Sequence, residues 1–349
     1  MATLTEFAFY TRKAIKYGLF IFIGLFLGKI ILDMTVSLWK KLHPASAAAP
    51  TVSFGKLPII QFPQKEKQDG LEFVLETPTG TLTNLPDRAN VYFMPYLKPS
   101  LLALDRAKKQ AALMGFKNEP KTISEKIYQW TRAENSLSTL EMDIFSGSFI
   151  LNYDWQNDPN IFLEKSLPGK EQAKAEIQNF LQNAEIAETD LINGRMEVNY
   201  LKVVGGKLNL AMSPSEANFA KIDIFRKNVG DLSIITSDPQ KGIVSFLISG
   251  AKQLEKRIIK VEFNYFPIKY DSLATYPIKK ATIAWQELKA GQTFISQWNG
   301  TGNRVVIRRI YLAYYDSENP QQFLQPIIVF EGDNNFSAYI PAISPEWTL

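Results

Sequence analysis

Cysteine is absent from the 349 residues, and histidine occurs once, at His43. Without cysteine the chain has no disulfide, no thiolate nucleophile, no cysteine-ligated zinc and no iron–sulfur cluster. One histidine, standing just beyond an apolar N-terminal run, leaves no Ser-His-Asp triad and no two-histidine metal site for the rest of the chain. Excess charge of one sign is also scarce. Lys plus Arg number 39 against 35 Asp plus Glu, a net charge of +4, with no basic block dense enough to track a phosphate backbone. No cofactor, metal or nucleic-acid partner is expected. Aromatic residues are plentiful: 23 Phe, 14 Tyr and 6 Trp, a large apolar payload for a core. The length allows two or three domains. Hydrophobic residues at 46% and charged ones at 21% argue against global disorder. Cysteine avoidance suits an extracytoplasmic bacterial domain.

The run Gly18 to Trp39, GLFIFIGLFLGKIILDMTVSLW, is long enough at ~1.5 Å rise per residue to cross a hydrocarbon core of about 30 Å. Tyr17 and Trp39 stand at its ends, where amphipathic rings prefer the headgroup level. Arg12, Lys13 and Lys16 precede it, and Lys40 and Lys41 follow. That bias and the large C-terminal part favour a cytoplasmic N-terminus (1–17), a single transmembrane helix (18–39) and an extracytoplasmic remainder at the cell membrane. Ala45-Ser46-Ala47 has the small residues of a signal-cleavage site, but the apolar run exceeds the ~7–15 residues of a signal core, so an uncleaved anchor is expected. Within the helix, Gly24 and Gly28 form G-x-x-x-G, which lets two helix backbones approach closely. Lys29 and Asp33, spaced i, i+4, share a face and can pair. Charges at that depth are costly and mark polar interfaces. These four residues are the candidates for helix–helix association, with a homodimer or a membrane-protein partner as the outcome; the plainer reading is an anchor whose pair neutralises itself.

Residues 40–70 read as a Pro/Ala-rich stalk, with Val52 to Phe62 as an extended segment along the domain surface. Ser53 and Lys56 match S-x-x-K without the companion motifs that acyl-transferases need. Beyond Leu71 a helix followed by strands recurs three times. The helices are expected near Pro99 to Gly115, Lys170 to Asn183 and Ile278 to Ala290, each with apolar residues at amphipathic spacing. Strands follow with apolar–polar alternation, as in LEMDIF and VVIRRIYLAYY. Gly205-Gly206 and Ser146-Gly147 read as hairpin turns. The expected class is α+β: a transmembrane helix, then antiparallel sheets with one wet face and helices on the other. The expected modules are 71–166 (first α+β), 167–270 (central, β-rich) and 271–349 (C-terminal).

Candidate chemistry rests on carboxylates. Glu141 and Asp143 alternate on one strand, and Asp316, Glu318 and Asp333 fall in C-terminal turns. Such acids can run glycoside hydrolysis or bind a hard cation, but turn carboxylates are usually solvated or bonded to local backbone. Tyr311, Tyr314 and Tyr315 are the candidate binding surface. Strand tyrosines serve as one wall of a ligand groove or, more commonly, as core packing.

The stretch TYPIKKATIAWQELKAG leading into VVIRRIYLAYYDSENPQQFLQPIIVFEGDNNFSAYIPAI resembles the C-terminal module of the YycH/YycI family and related PepSY-like domains. Trp285, Leu288, Leu312, Tyr314, Tyr315, Gln325, Pro326 and Tyr339 carry the likeness, over about 75 residues. The resemblance implies a single N-terminal membrane helix and an outer domain. It also implies regulation of a sensor kinase of cell-wall metabolism, through contacts of helix and domain. The expected function is therefore a membrane-anchored, non-enzymatic binding or regulatory protein with an envelope-protein partner. The alternatives are a structural or assembly subunit of an envelope complex and a carboxylate-dependent envelope hydrolase.

Overall fold

The computed structural model describes residues 4–42, 49–65, 68, 70–95, 100–133, 135–163 and 166–349. His43, Ala45 to Ala47 and Pro99 lie outside the described residues. The chain divides into two units, Met1–Ala49 and Pro50–Leu349.

The first unit is α1 (Leu4–Leu42), a helix of 39 residues. Its segment Ile15–Ser37 is, among the described residues, the one helix long and apolar enough to cross a membrane. A Cβ added at Gly24 or Gly28 would meet nothing within 4 Å, so this small-residue face is open. Lys29 and Asp33 are exposed, and no ion pair joins them among the described residues. The expected pairing does not form. The acid follows the base, the weaker order for an i, i+4 pair.

The second unit is α+β and holds two sheets. In chain order the first elements are β1 (Glu72–Leu75), β2 (Arg88–Phe93), α2 (Ala103–Leu113), β3 (Lys121–Thr122), β4 (Ile127–Thr131), β5 (Ser138–Asp143) and β6 (Phe149–Tyr153). There follow α3 (Lys170–Asn183), α4 (Thr189–Ile192), β7 (Met196–Val204), β8 (Lys207–Leu210), β9 (Phe219–Ile224), β10 (Ile234–Ile235), β11 (Val244–Ser249), α5 (Leu254–Arg257) and β12 (Ile258–Phe263). The last are β13 (Lys269–Pro277), α6 (Ala281–Lys289), β14 (Phe294–Gln297), β15 (Arg304–Tyr315), β16 (Phe323–Gly332) and β17 (Phe336–Pro341).

One sheet has nine strands in the order β3-β4-β5-β6-β12-β11-β9-β7-β8, all antiparallel. The alternation of β5 and β6 sends Leu140, Met142, Phe149 and Leu151 into a core shared with Ala107 and Ala111 of α2 and Ala173, Ile177 and Leu181 of α3. Those helix residues recur at 3–4 spacing, so one face of each helix is buried. The β7–β8 hairpin turns through Gly205 and Gly206, both at positive φ, which glycine adopts without a Cβ clash.

The other sheet has eight strands along β1-β15-β16-β17-β14, with β10 on β15 and the β2–β13 ribbon joined to β16. Two of its pairings, β1–β15 and β10–β15, are parallel. Here the expected wet face is missing: all but the last two residues of β16 are buried. One face packs against α6 and the β2–β13 ribbon. The other is covered by Ile60, Phe62, Phe294 and Ile235.

Part of the expected stalk belongs to this core. Leu57 is 0% exposed, and its backbone bonds to Trp347 and Leu349. Phe62 stacks on Phe294 with centroids 4.9 Å apart, and Gln325 Nε2 donates to Pro58 O at 2.8 Å. The expected module bounds also cut across the sheets. β1 and β2 pair with C-terminal strands, while β6 joins β12 and makes the first two expected modules one sheet. Long-range pairing of this kind leaves no local signal.

Candidate functional site

Tyr311, Tyr314 and Tyr315 stand on β15, which carries a bulge: its register with β16 shifts between Ile307 and Arg309. Beyond it, alternation sends Ile310, Leu312 and Tyr314 to one face and Tyr311, Ala313 and Tyr315 to the other. The three tyrosines therefore do not form one surface. Tyr314 is buried, its hydroxyl donating to Asn90 O at 3.0 Å and its ring edge-on to Tyr92 at 5.6 Å. Tyr315 is buried against Phe62 at 4.8 Å. Tyr314 and Tyr311 both line one cavity, and Tyr311 also lines a second.

Two cavities meet at Tyr311. The first, of about 500 Å³, is walled mainly by apolar groups, among them Leu85, Pro86, Tyr92, Leu232, Ile310 and Leu312. The second, of about 690 Å³, is polar, with Asn193, Arg195, Lys227, Asn228, Glu331 and Tyr339 in its lining. The Tyr311 hydroxyl donates to Glu331, and the Arg309 guanidinium lies 5.1 Å from the Tyr311 ring centroid. Burial, reinforced by Glu331, raises the Tyr311 pKa above the ordinary phenol value, so it stays a neutral donor. The Tyr339 hydroxyl is buried with no hydrogen-bond partner among the described residues, and burial pushes its pKa up to about 12.

The outer edge of β15 is paired in two separate stretches. β1 lies along Arg304 to Ile307, and β10 lies along Tyr314 and Tyr315. Among the described residues no strand pairs with this edge from Arg308 to Ala313. The amides of Tyr314 and Asp316 donate outward, to Ser233 O and Ile235 O, so even-numbered residues face the outer edge beyond the bulge. The N–H and C=O of Ile310 and Leu312 therefore point into the interruption, with no partner among the described residues. These residues are only 3% and 6% exposed, and a buried backbone polar group without a partner is uncommon.

Next to the polar cavity lies a buried ion cluster. Arg226, just after β9, donates from Nε to Asp316 at 2.6 Å, from Nη1 to Asp190 at 2.8 Å and from Nη2 to Phe266 O at 2.6 Å. Its guanidinium lies 4.1 Å from the Tyr265 ring centroid. The Tyr270 hydroxyl donates to Asp190 at 2.9 Å. The cluster ties the nine-stranded sheet to β13 and the end of β15. Its formal charge is −1, from one guanidinium and two carboxylates. Burial raises the Asp316 pKa, with Arg226 acting against it and Asp190 adding to it. For Arg226, burial opposes the charge, but attraction by Asp316 and Asp190 outweighs it and lifts the pKa above the usual value.

The other expected acids are dispersed. Asp143 caps its own turn, accepting from the amides of Phe145 and Ser146, and pairs with Lys126 at 3.3 Å. Glu318 meets Lys241 at 3.4 Å, and Asp333 is bonded to Arg308 on the surface. Glu141 is half-buried on β5. Among the described residues no cluster of three or more metal-ligating side chains forms. Ser53 and Lys56 are both exposed. Sequence reasoning missed Arg226, Asp190 and the interrupted edge. An arginine closing the buried run FAKIDIFR was the available signal for the first.

No protein-family model matches the chain, and no curated protein matches it. The fold is similar to the crystal structure of an uncharacterized protein from Eubacterium rectale, at a TM-score of 0.41 and 12% identity, over 78% of this chain and 88% of the other. A likeness at that level carries no functional information.

Proposed function

We propose that this chain is a membrane-anchored binding protein. α1 holds it in the membrane with its N-terminus in the cytoplasm, and residues 50–349 face the extracytoplasmic side and bind another envelope protein. The observation that carries the reading is the pair of cavities meeting at Tyr311. Apolar and polar space lie on either side of one strand, as pockets for a partner's side chains require. The apolar length of Ile15–Ser37 supports the anchor. The YycH/YycI-like C-terminal stretch supports a regulatory role toward an envelope sensor or cell-wall system. The open face at Gly24 and Gly28, with Lys29 and Asp33 beside it, supports a helix–helix contact or a homodimer in the membrane.

The test is recovery of the full-length protein from its native membranes in three forms: unaltered, Tyr311→Asp and Gly24→Ile/Gly28→Ile. A partner lost with Tyr311→Asp supports binding through the outer domain, and one lost with the glycine variant supports binding through the helix. Recovery of the same proteins with all three, or of none, contradicts the reading. Topology is tested separately. The chain has no cysteine, so a single Lys207→Cys on exposed β8 should react with a membrane-impermeant maleimide in intact cells. Labelling only after lysis would reverse the orientation.

A further inference from the structure

We infer that the interruption beside β15 is a strand-addition site, filled by an extended polypeptide segment that completes the eight-stranded sheet between β1 and β10. This deepens the binding reading above and rests on it. Three observations converge. The N–H and C=O of Ile310 and Leu312 face the gap unpaired, in residues that are nearly inaccessible to solvent. Two such amides and two such carbonyls in register are the pattern that a neighbouring strand satisfies, and few other ligands match it. The gap is also bounded at both ends. β1 stops beside Ile307 and β10 begins beside Tyr314, so roughly 20 Å of edge lies between strands that already lie along it. Finally, the two cavities sit where alternate side chains of an added strand would go. Residues sharing a face with Ile310 and Leu312 would enter the apolar cavity. Those sharing a face with Tyr311 would enter the polar one, toward Arg195, Lys227 and the unpartnered Tyr339 hydroxyl.

The gap differs from an ordinary sheet edge. β8, at the rim of the nine-stranded sheet, is exposed at every residue, so water satisfies its outer groups. Ile310 and Leu312 reach solvent only through the apolar cavity that they line, at 3% and 6% exposure. The bulge between Ile307 and Arg309 sets which groups face the gap: without it the odd-numbered residues would face outward and the apolar side chains would change faces. The segment it fits is an extended peptide, apolar at alternate positions and polar between them.

The probe is a set of nonapeptides from a random displayed library, selected on the full-length protein in lipid nanodiscs. Each selected peptide is then remade with a single N-methyl group at every position in turn. The expected result is a period of two: methylation at alternate positions weakens binding by roughly tenfold, the effect of one lost backbone hydrogen bond, and at the positions between leaves it unchanged. Amide hydrogen exchange should show protection of Ile310 and Leu312 on peptide addition. Peptides that bind while protecting β8 or another surface overturn the strand-addition site and leave the binding-protein reading standing. Failure to select any peptide overturns the inference. So does protection of Ile310 and Leu312 that rises with protein concentration alone, because the occupant is then a second copy.

Discussion

Replacing Arg226 by Met should destabilise residues 50–349 more than most single substitutions would. The guanidinium is 0% exposed and donates three hydrogen bonds, two of them to carboxylates. Its loss leaves Asp190 and Asp316 facing each other without a cation. Each already has one oxygen, Oδ1, that is buried and unpartnered, and Phe266 O loses its donor as well. Removing one member of a buried ion cluster costs about 3–5 kcal/mol, a large share of the ~5–15 kcal/mol that holds a typical domain together. Methionine fills most of the volume, so the cost is electrostatic. It should therefore shrink as pH falls. A carboxyl whose folded-state pKa is raised stabilises the fold when protonated and loses that contribution as pH rises through the folded value. Asp316 is already in this position, and loss of Arg226 pushes it further. The assay is urea unfolding of the full-length protein in nanodiscs, followed by tryptophan fluorescence, at pH 7.5 and 5.5. Adding Asp190→Asn and Asp316→Asn to the Met variant should restore about half of the lost stability, because no unpaired charge remains. A loss under ~1 kcal/mol at pH 7.5, or one that grows at pH 5.5, would refute this electrostatic reasoning.

Three further outcomes follow from the packing. Leu57→Ala should cost about 2–5 kcal/mol in the same unfolding assay, as for a fully buried leucine; a loss near zero would return this segment to the stalk expected from its composition. Gly332→Ala should abolish binding of any selected peptide, since its Cβ would sit 2.2 Å from Val306 O at the bulge of β15 and shift the edge; unchanged affinity would separate the bulge from the site. Asp158 is buried and accepts from Lys256 and from the Tyr153 hydroxyl, both at 2.6 Å. Burial favours its neutral form, but these bonds outweigh burial and hold its pKa below the usual value. Its stabilising contribution is thus present above the unfolded value near 3.8 and lost as pH falls through the lower folded value. Asp158→Asn should flatten that part of the acid-unfolding curve.

How much of this was legible in the sequence depended on whether the signal was local. Lys170 to Asn183 was expected as a helix and forms α3 over those residues, because apolar spacing, an acidic first turn and a glycine before Lys170 all agree. β5, β6 and β12 are readable from alternation for the same reason, whereas β9 and β11, buried on both faces, are legible as short apolar runs. β1, β2, β3, β13 and β14 are not among the strands expected from the sequence. They are short or polar on one face, and the pairings of β1 and β2 join distant parts of the chain, as in Glu72 with Arg304. Val52 to Phe62 is expected as an extended segment along the domain surface, but Leu57 and Ile60 are buried, because a proline-rich segment has no period yet inserts single side chains into the core. At the site, the sequence pointed to Tyr311, Tyr314 and Tyr315 as a group. Strand alternation separates Tyr314 from Tyr311 and Tyr315, and the upstream bulge that sets which face each takes lies opposite Gly332 across the ladder. The interruption between β1 and β10 is a property of pairing alone, and no residue type marks it.

The most direct measurement places a photoreactive benzoylphenylalanine at Tyr311 in the full-length protein and irradiates its native membranes. The expected result is a light-dependent adduct to a polypeptide, mapped by mass spectrometry to an extended segment and displaced by a peptide selected on the purified protein. A probe at Leu210, exposed on β8, should give no such displaceable adduct. Displaceable adducts from Leu210 with none from Tyr311, or no adduct at either position, would contradict a binding site at β15.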